Sequence, residues 1–441
     1  MTTTNCSTDA TEAGAGRRQA GRLRSVLFPA AVAVLVLGGC GTDDRDAAAD
    51  AEPRTQRVDE SNDVTSEATD TAPEHSDELD DRDPGASTHD SMTPAWLLPA
   101  VQIDRDAGRS SPGDVRTAIL RSTDGVTWSA TATVPDAIEA LATDGSGAWV
   151  GVGSTARGFA FAWSGVPPPL QEEAQAVILH SDDGSSWTVV ELGLAGQLHD
   201  VATDGQRWVA VGSTGLESES ILLTSDDGLA WTETVIDSTG PLHSVAHNGA
   251  GTWVTVGTPG VFVSADGHNW EPVGQHPDGE AFGHGRERLG RVTTDGSLWV
   301  AADLDVEPPR VFTSPDATLW NPYDLPGDDL WDLSGVSVDD HGSWLAFGHG
   351  GAVAISHDAH VWTEARLPEL DDCVFLLRHA EYNNGLWLTG GVVEDCPRSG
   401  PILLTSSDAL TWKIRPLPAS SGGGSLEHHP GRPAFGPAAT E

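Results

Sequence analysis

Ser225-Asp226-Asp227-Gly228-Leu229-Ala230-Trp231 separates two short apolar runs, Ser220–Thr224 and Trp231–Val235. A Ser hydroxyl and an Asp carboxylate two residues on can both accept from exposed backbone N–H groups and so lock a tight turn. The Gly after the Asp can take a positive φ. The stretch therefore reads as a β-hairpin whose second strand begins with a large ring to bury, worth on the order of 2–3 kcal/mol. Upstream, His199–Thr203 and Trp208–Gly212 flank Asp204-Gly205, a second hairpin signal. Four strands, called a to d in chain order, thus follow one another between His199 and Val235.

The same turn recurs at Ser122/Asp124/Trp128, Ser181/Asp183/Trp187, Ser264/Asp266/Trp270, Ser314/Asp316/Trp320, Ser356/Asp358/Trp362 and Ser406/Asp408/Trp412. Copies lie roughly 40 to 60 residues apart, the spacing of four-stranded propeller blades. Three copies carry Ala317, Ala359 or Ala409 in place of Gly, so the position is not expected to require a positive φ strictly. A second motif alternates with the first: Trp149, Trp208, Trp253, Trp299, Trp344 and Trp387 each open an apolar run of the form WVAVG. Few stretches show a helical period, so the fold class is all-β, a seven-bladed propeller of four-stranded antiparallel blades over 94–417. The first unit is irregular, with c and d near Val115–Leu120 and Trp128–Thr133 and Trp96–Ile103 as b; six blades plus a hairpin is the alternative. The segment 418–441 reads as a flexible tail, within which Arg432–Phe435 offers a short closing strand.

The seven turns resemble the Asp-box, or BNR, repeat of sialidases and other propellers. In the family pattern Asp and Gly are one residue apart and the Trp comes eighth; here they are adjacent and the Trp comes seventh. The resemblance implies a propeller whose c–d turns face away from the ligand side, so that the seven Ser/Asp pairs are structural. Ligands would then meet the d–a and b–c loops, the longest being Thr155–Ala174 and Gly274–Gly290; Asp371-Asp372 and Glu394–Arg398 lie near the pair Cys373 and Cys396. The repeats are also similar to those of propellers that assist assembly of photosynthetic membrane complexes.

The N-terminus carries its own signals. Arg17, Arg18, Arg22 and Arg24 precede the apolar Val26–Leu37, which is too short to span a membrane comfortably. Leu37-Gly38-Gly39-Cys40 resembles the bacterial lipobox, which implies a signal over 1–39, diacylation of Cys40 and anchorage on the extracytoplasmic side of the cell membrane. Residues 41–93 are rich in Asp, Glu, Ala, Thr and Ser and poor in apolar groups, as expected of a disordered acidic tether. Cys6 falls in the signal, leaving Cys373 and Cys396 as a pair in a compartment where disulfides persist.

The formal net charge is −42, and Lys413 is the only lysine. Such a field repels phosphate backbones and excludes nucleic acid as a partner. Solubility in a saline setting is the plain reading of the charge, and attraction to cations or a cationic partner is the functional one. A sialidase would need an arginine triad and a Tyr nucleophile. Tyr323 and Tyr382 are the only tyrosines, Tyr323 reads as strand packing, and Arg366-Leu367-Pro368 reads as an exposed strand end. No nucleophile elbow, phosphate loop or HExxH segment occurs, and His276, Asp278 and His284 match no established metal-ligand spacing. No catalytic residue, metal or cofactor is assigned. The expectation is a monomeric, non-catalytic module that binds a protein or glycan on its propeller face, with a glycoside hydrolase as the rival.

Overall fold

The computed structural model describes residues 92–104, 116–155, 174–214, 219–236, 238–274, 288–304, 306–370, 373–394, 400–418 and 426–439. The signal, Cys40, the acidic tether and Cys396 lie outside them. All named elements are strands, and no helix among the described residues is long and apolar enough to cross a membrane.

Seven antiparallel blades follow one another, each ordered a-b-c-d from its innermost strand. The inner strands of blades two to seven are Ala137–Thr143, Gln197–Thr203, Leu242–His247, Arg288–Thr294, Leu330–Val338 and Val374–Asn383. Blades six and seven join into one sheet where His349 and Gly350 pair with Leu376 and Phe375. The first blade is closed by the end of the chain: Leu426–Pro430 and Ala434–Ala439 both pair with Met92–Asp104. The tail expected to be flexible is therefore, over 426–439, the inner strand of the first blade, and the closing strand is longer than Arg432–Phe435. Seven blades, not six, result. The fold is a β-propeller.

Two sets of seven tryptophans explain how the blades cohere. In every blade a Trp at the start of strand b stands opposite the turn Ser that ends strand c: Trp96 with Ser122, Trp149 with Ser181, Trp208 with Ser225, Trp253 with Ser264, Trp299 with Ser314, Trp344 with Ser356 and Trp387 with Ser406. Trp96 is thus the seventh member of a series that shows six clear members in the sequence. The buried apolar residues form seven clusters, one for each seam between adjacent blades. The closing seam joins Trp96, Leu98 and Leu120 of the first blade to Leu388 and Leu403 of the last.

The c–d turns behave as the residue types demand. Asp227 Oδ1 accepts from the N–H groups of Leu229 (2.8 Å) and Ala230 (2.7 Å) and from the Ser225 hydroxyl (3.0 Å). Ser225 Oγ in turn accepts from the N–H of Gly228 at 2.9 Å. The Asp–Ser bond repeats in the other six copies, at Asp124, Asp183, Asp266, Asp316, Asp358 and Asp408. The Trp closes the turn: in six copies its indole N–H donates to the carbonyl three residues back. The freedom allowed to the Gly/Ala position does not hold. Ala317, Ala359 and Ala409 adopt φ of 62°, 59° and 56°, as the four glycines do at 67–72°. The turn requires the left-handed conformation, and burial of each methyl in a seam offsets part of its cost.

These turns make an acid-sensitive element. Backbone N–H donors, Thr127 first, hold the Asp124 carboxyl down to about 2, and the other six turn carboxyls are also lowered. A folded-state value below the unfolded value of about 3.9 means stability that is complete above that pH and lost as pH falls through the folded value. The Asp124→Ala protein is accordingly expected to melt below the parent by a constant margin from pH 8 to 5. The margin should narrow between about pH 4 and 2; a gap that widens on acidification would contradict this role.

Candidate functional site

The loops expected to carry a ligand site fall mostly outside the described residues, since 156–173, 275–287, 371–372 and 395–399 are not described. His276, Asp278 and His284 lie there too. The propeller axis, where the inner strands converge, is described. Its geometry follows from one irregularity repeated around the ring.

Each inner strand of blades two to seven carries a bulge at the same level. One residue too many stands between Ile138 and Ala140, Leu198 and Asp200, Leu242 and Ser244, Leu333 and Gly335, and Leu377 and His379, with a related irregularity between Leu289 and Val292. A bulge leaves its extra residue unpaired and re-aims the neighbouring side chains. The extra residues are Glu139, His199, His243, Ser334 and Arg378, and those that follow include Asp200, Ser244 and His379. The bulge also explains the Gly of WVAVG. On strand b, a Cβ at Gly153, Gly212, Gly257, Gly348 or Gly391 would stand 1.9–2.1 Å from a carbonyl oxygen of strand a or, for Gly257, of Pro241 just before it.

Two arginines and two carboxylates of this group pair with one another. Arg432, from the closing strand, donates to the carbonyl of Val201 (2.6 Å) and lies 3.2 Å from Asp200 Oδ1 and 3.9 Å from Glu381 Oε1. Arg291 forms a close ion pair with the same Glu381 oxygen. Asp200, 2% exposed, accepts from the N–H groups of Val201 (2.9 Å) and Val245 (3.1 Å) and from the Ser244 hydroxyl (2.8 Å). A second group, one residue nearer the strand starts, sets His199 Nδ1 3.5 Å from Glu139 and its ring 5.9 Å from that of His243. Burial first, then His199 and Arg288, push His243 down to about 3. Burial, then Arg291, Arg432 and Arg378, hold His379 well below the usual imidazole range. Both imidazoles are neutral at pH 7. Burial also pushes Arg378 down to about 10, with Glu139 and Glu394 opposing it, so it remains charged.

Where the inner strands end, beside the a–b and c–d turns, a cavity of about 230 Å³ opens over this network, with Glu381, Arg432, Trp96, Thr143, Thr203 and Phe435 among its lining residues. Tyr382 lines it too, its ring 5.1 Å from that of Trp387. Tyr323 packs against the seam between blades five and six, in keeping with the sequence reading. Arg366 is an exposed strand end, paired with Asp329 at 2.6 Å and with Glu364 at 3.7 Å. Asp339, Asp340 and His341 lie close together in an exposed turn, where Asp339 Oδ1 accepts from the N–H groups of His341 and Ser343.

The sequence named Arg432 only as the start of a closing strand and assigned no role to the other charged axial residues. Their only signal is a polar residue, or an adjacent pair, interrupting an apolar strand a few residues before its turn.

No protein-family profile matches the chain, and no curated protein sequence does. Solved propeller structures align with it at low identity. A structure of YCF48 bound to D1 peptide is 18% identical over 69% of this chain and 92% of that one, with a TM-score of 0.47. A putative 6-phosphogluconolactonase from Bacteroides fragilis is 11% identical over 80% and 99%, with a TM-score of 0.46. A nidogen/laminin complex is 10% identical over 78% and 98%, with a TM-score of 0.39.

Proposed function

We propose that this chain is a non-catalytic recognition module, tethered by a lipid on Cys40 to the extracytoplasmic side of the cell membrane, which binds a protein or glycan at its loop face. The observation that carries the non-catalytic part is the state of the axial carboxylates. A two-carboxylate hydrolase needs one group free to give a proton and another free to attack or to activate water. Asp200 and Glu381 are instead engaged by two arginines, a serine hydroxyl and two backbone N–H groups, one from Asp200's own inner strand and one from the next. What remains is a rigid frame presenting many loops, an arrangement suited to recognition without chemistry.

The anchor rests on the lipobox-like Leu37–Cys40 and on the acidic spacer that would hold the propeller off an anionic surface. The Cys373–Cys396 disulfide is part of the same proposal. Val374 pairs with Glu394, so Cys373 directly precedes this ladder, and Cys396 follows it in sequence outside the described residues. The full chain, expressed in a bacterium with lipoprotein processing, should fractionate with membranes. Its Cys40→Ser variant should not, and alkylation of the unreduced protein should leave Cys373 and Cys396 unmodified. A Cys40→Ser protein that stays with the membrane would defeat the anchor, and free thiols at both positions would defeat the bridge.

A further inference from the structure

Fourteen of the fifteen described tryptophans belong to the two rings of seven, one at the start of each strand b and one closing each c–d turn. Trp331 belongs to neither. It stands second on the inner strand of blade six, at the end nearest the d–a loop, and 47% of its surface is exposed. No other described aromatic appears among the exposed large hydrophobic residues.

The backbone places it there by a device this strand alone carries. Leu330 pairs with Gly350 and Asp332 with His349, so Trp331 is an extra residue between them; a second irregularity follows at Ser334, whereas the inner strands of blades two to five and seven show one each. The additional bulge lets Leu330 and Leu333, three apart, both enter the seam core, at 1% and 3% exposure. The indole between them is turned out of it. Half-exposed and outside the seam clusters, this ring contributes less to the core than the other fourteen and leaves an aromatic face at the surface.

Its surroundings select the ligand. The His349 ring lies edge-on to the indole, 5.4 Å away at 74°, and its Nδ1 is 3.1 Å from Asp332. Asp328 and Asp329 lead into the strand, Asp329 holding Arg366 at 2.6 Å. An indole with Asp328 and Asp329 just before it and Asp332 just after it in the chain, on a protein of net charge −42, is suited to a cation over its aromatic face. We propose that Trp331 is a contact residue for a basic side chain, Lys or Arg, of a protein partner docking on the loop face, with Asp332 supplying the opposing charge. The inference rests on the recognition reading above and specifies the chemistry of the partner.

The test uses the full chain and two synthetic probes, a tetralysine peptide and the same peptide with every lysine acetylated, titrated calorimetrically at 0.15 M and 0.5 M salt. The peptide should bind the parent, and Trp331→Ala should weaken binding about five-fold or more, consistent with a cation–π contact of roughly 1 kcal/mol or above. Trp331→Phe should fall between, the acetylated peptide should not compete, and the melting temperature of Trp331→Ala should match the parent's. Equal affinity of parent and Trp331→Ala, or failure of both to bind, would overturn the contact while leaving recognition at other loops untouched. Equal binding of the acetylated peptide would overturn the cationic chemistry, as would Trp331-dependent binding of a neutral oligosaccharide.

Discussion

Replacing Arg432 by methionine is expected to remove about 3–5 kcal/mol of stability, because it leaves Asp200 without its cation, and Glu381 with Arg291 alone, in a place water reaches poorly. Asp200 is 2% exposed and Glu381 already shares an oxygen between two guanidiniums. The backbone of Arg432 adds to the effect of its position: its N–H donates to the Glu139 carbonyl at 2.7 Å and its carbonyl accepts from Leu141 at 3.2 Å. One residue near the chain end thus ties the first blade to the second and third and, through Glu381, to the seventh. That is the closure point of the ring. Denaturant unfolding measures the loss directly, and the cause can be separated from mere packing. If unpaired charge is the main penalty, adding Asp200→Asn to Arg432→Met should restore part of the stability, since Arg291 still neutralises Glu381. A double variant weaker by the full sum of the single losses would show that the two side chains act independently.

Gly212→Ala should be comparably damaging for a different reason. The added Cβ would stand 2.0 Å from the carbonyl oxygen of Gln197 and 2.8 Å from the Cα of Leu198. Both neighbours are backbone, held at that distance by the bulge, so nothing flexible can move aside. Either the inner strand loses its bulge, moving His199 and Asp200 out of the axial network, or strands a and b separate. A loss of roughly 3 kcal/mol or more is expected, at the upper end of overpacking costs. Gly351→Ala is the control, since a Cβ there meets nothing within 4 Å, and its midpoint should stay within about 0.5 kcal/mol of the parent. If Gly212→Ala melts like Gly351→Ala, the repeated bulge is not the constraint behind the recurring glycine.

The repeat was legible because its chemistry is local. Each Ser/Asp pair meets its own backbone within three residues, and each Trp at the start of strand b faces the Ser that ends strand c. The inner strand of the first blade was only partly legible. Its segment, with Gly-rich and Pro-rich flanks, lacks the pattern of the other six, since it forms two short pieces around the kink at Gly431-Arg432-Pro433. The left-handed alanines were misread because residue type states a preference, whereas the turn geometry states a requirement. The axial network was hidden for a third reason: Arg432 and Leu141 meet across 291 positions of sequence. No spacing rule connects residues that one ring closure brings together, and the bulge that aims them shows on strand a only as a polar interruption of an apolar run. Trp331 was visible as a tryptophan, and only the assignment of the other fourteen sets it apart.

Turnover tests the central claim most directly. The soluble Cys40→Ser chain, incubated with a panel of sialosides and β-glucans, should release no reducing sugar above the buffer rate, because the axial carboxylates that would do the work are held by the fold's own donors. Hydrolysis that disappears in Glu139→Gln or Glu381→Gln, with the melting temperature preserved, would contradict the account and make the propeller axis an active site.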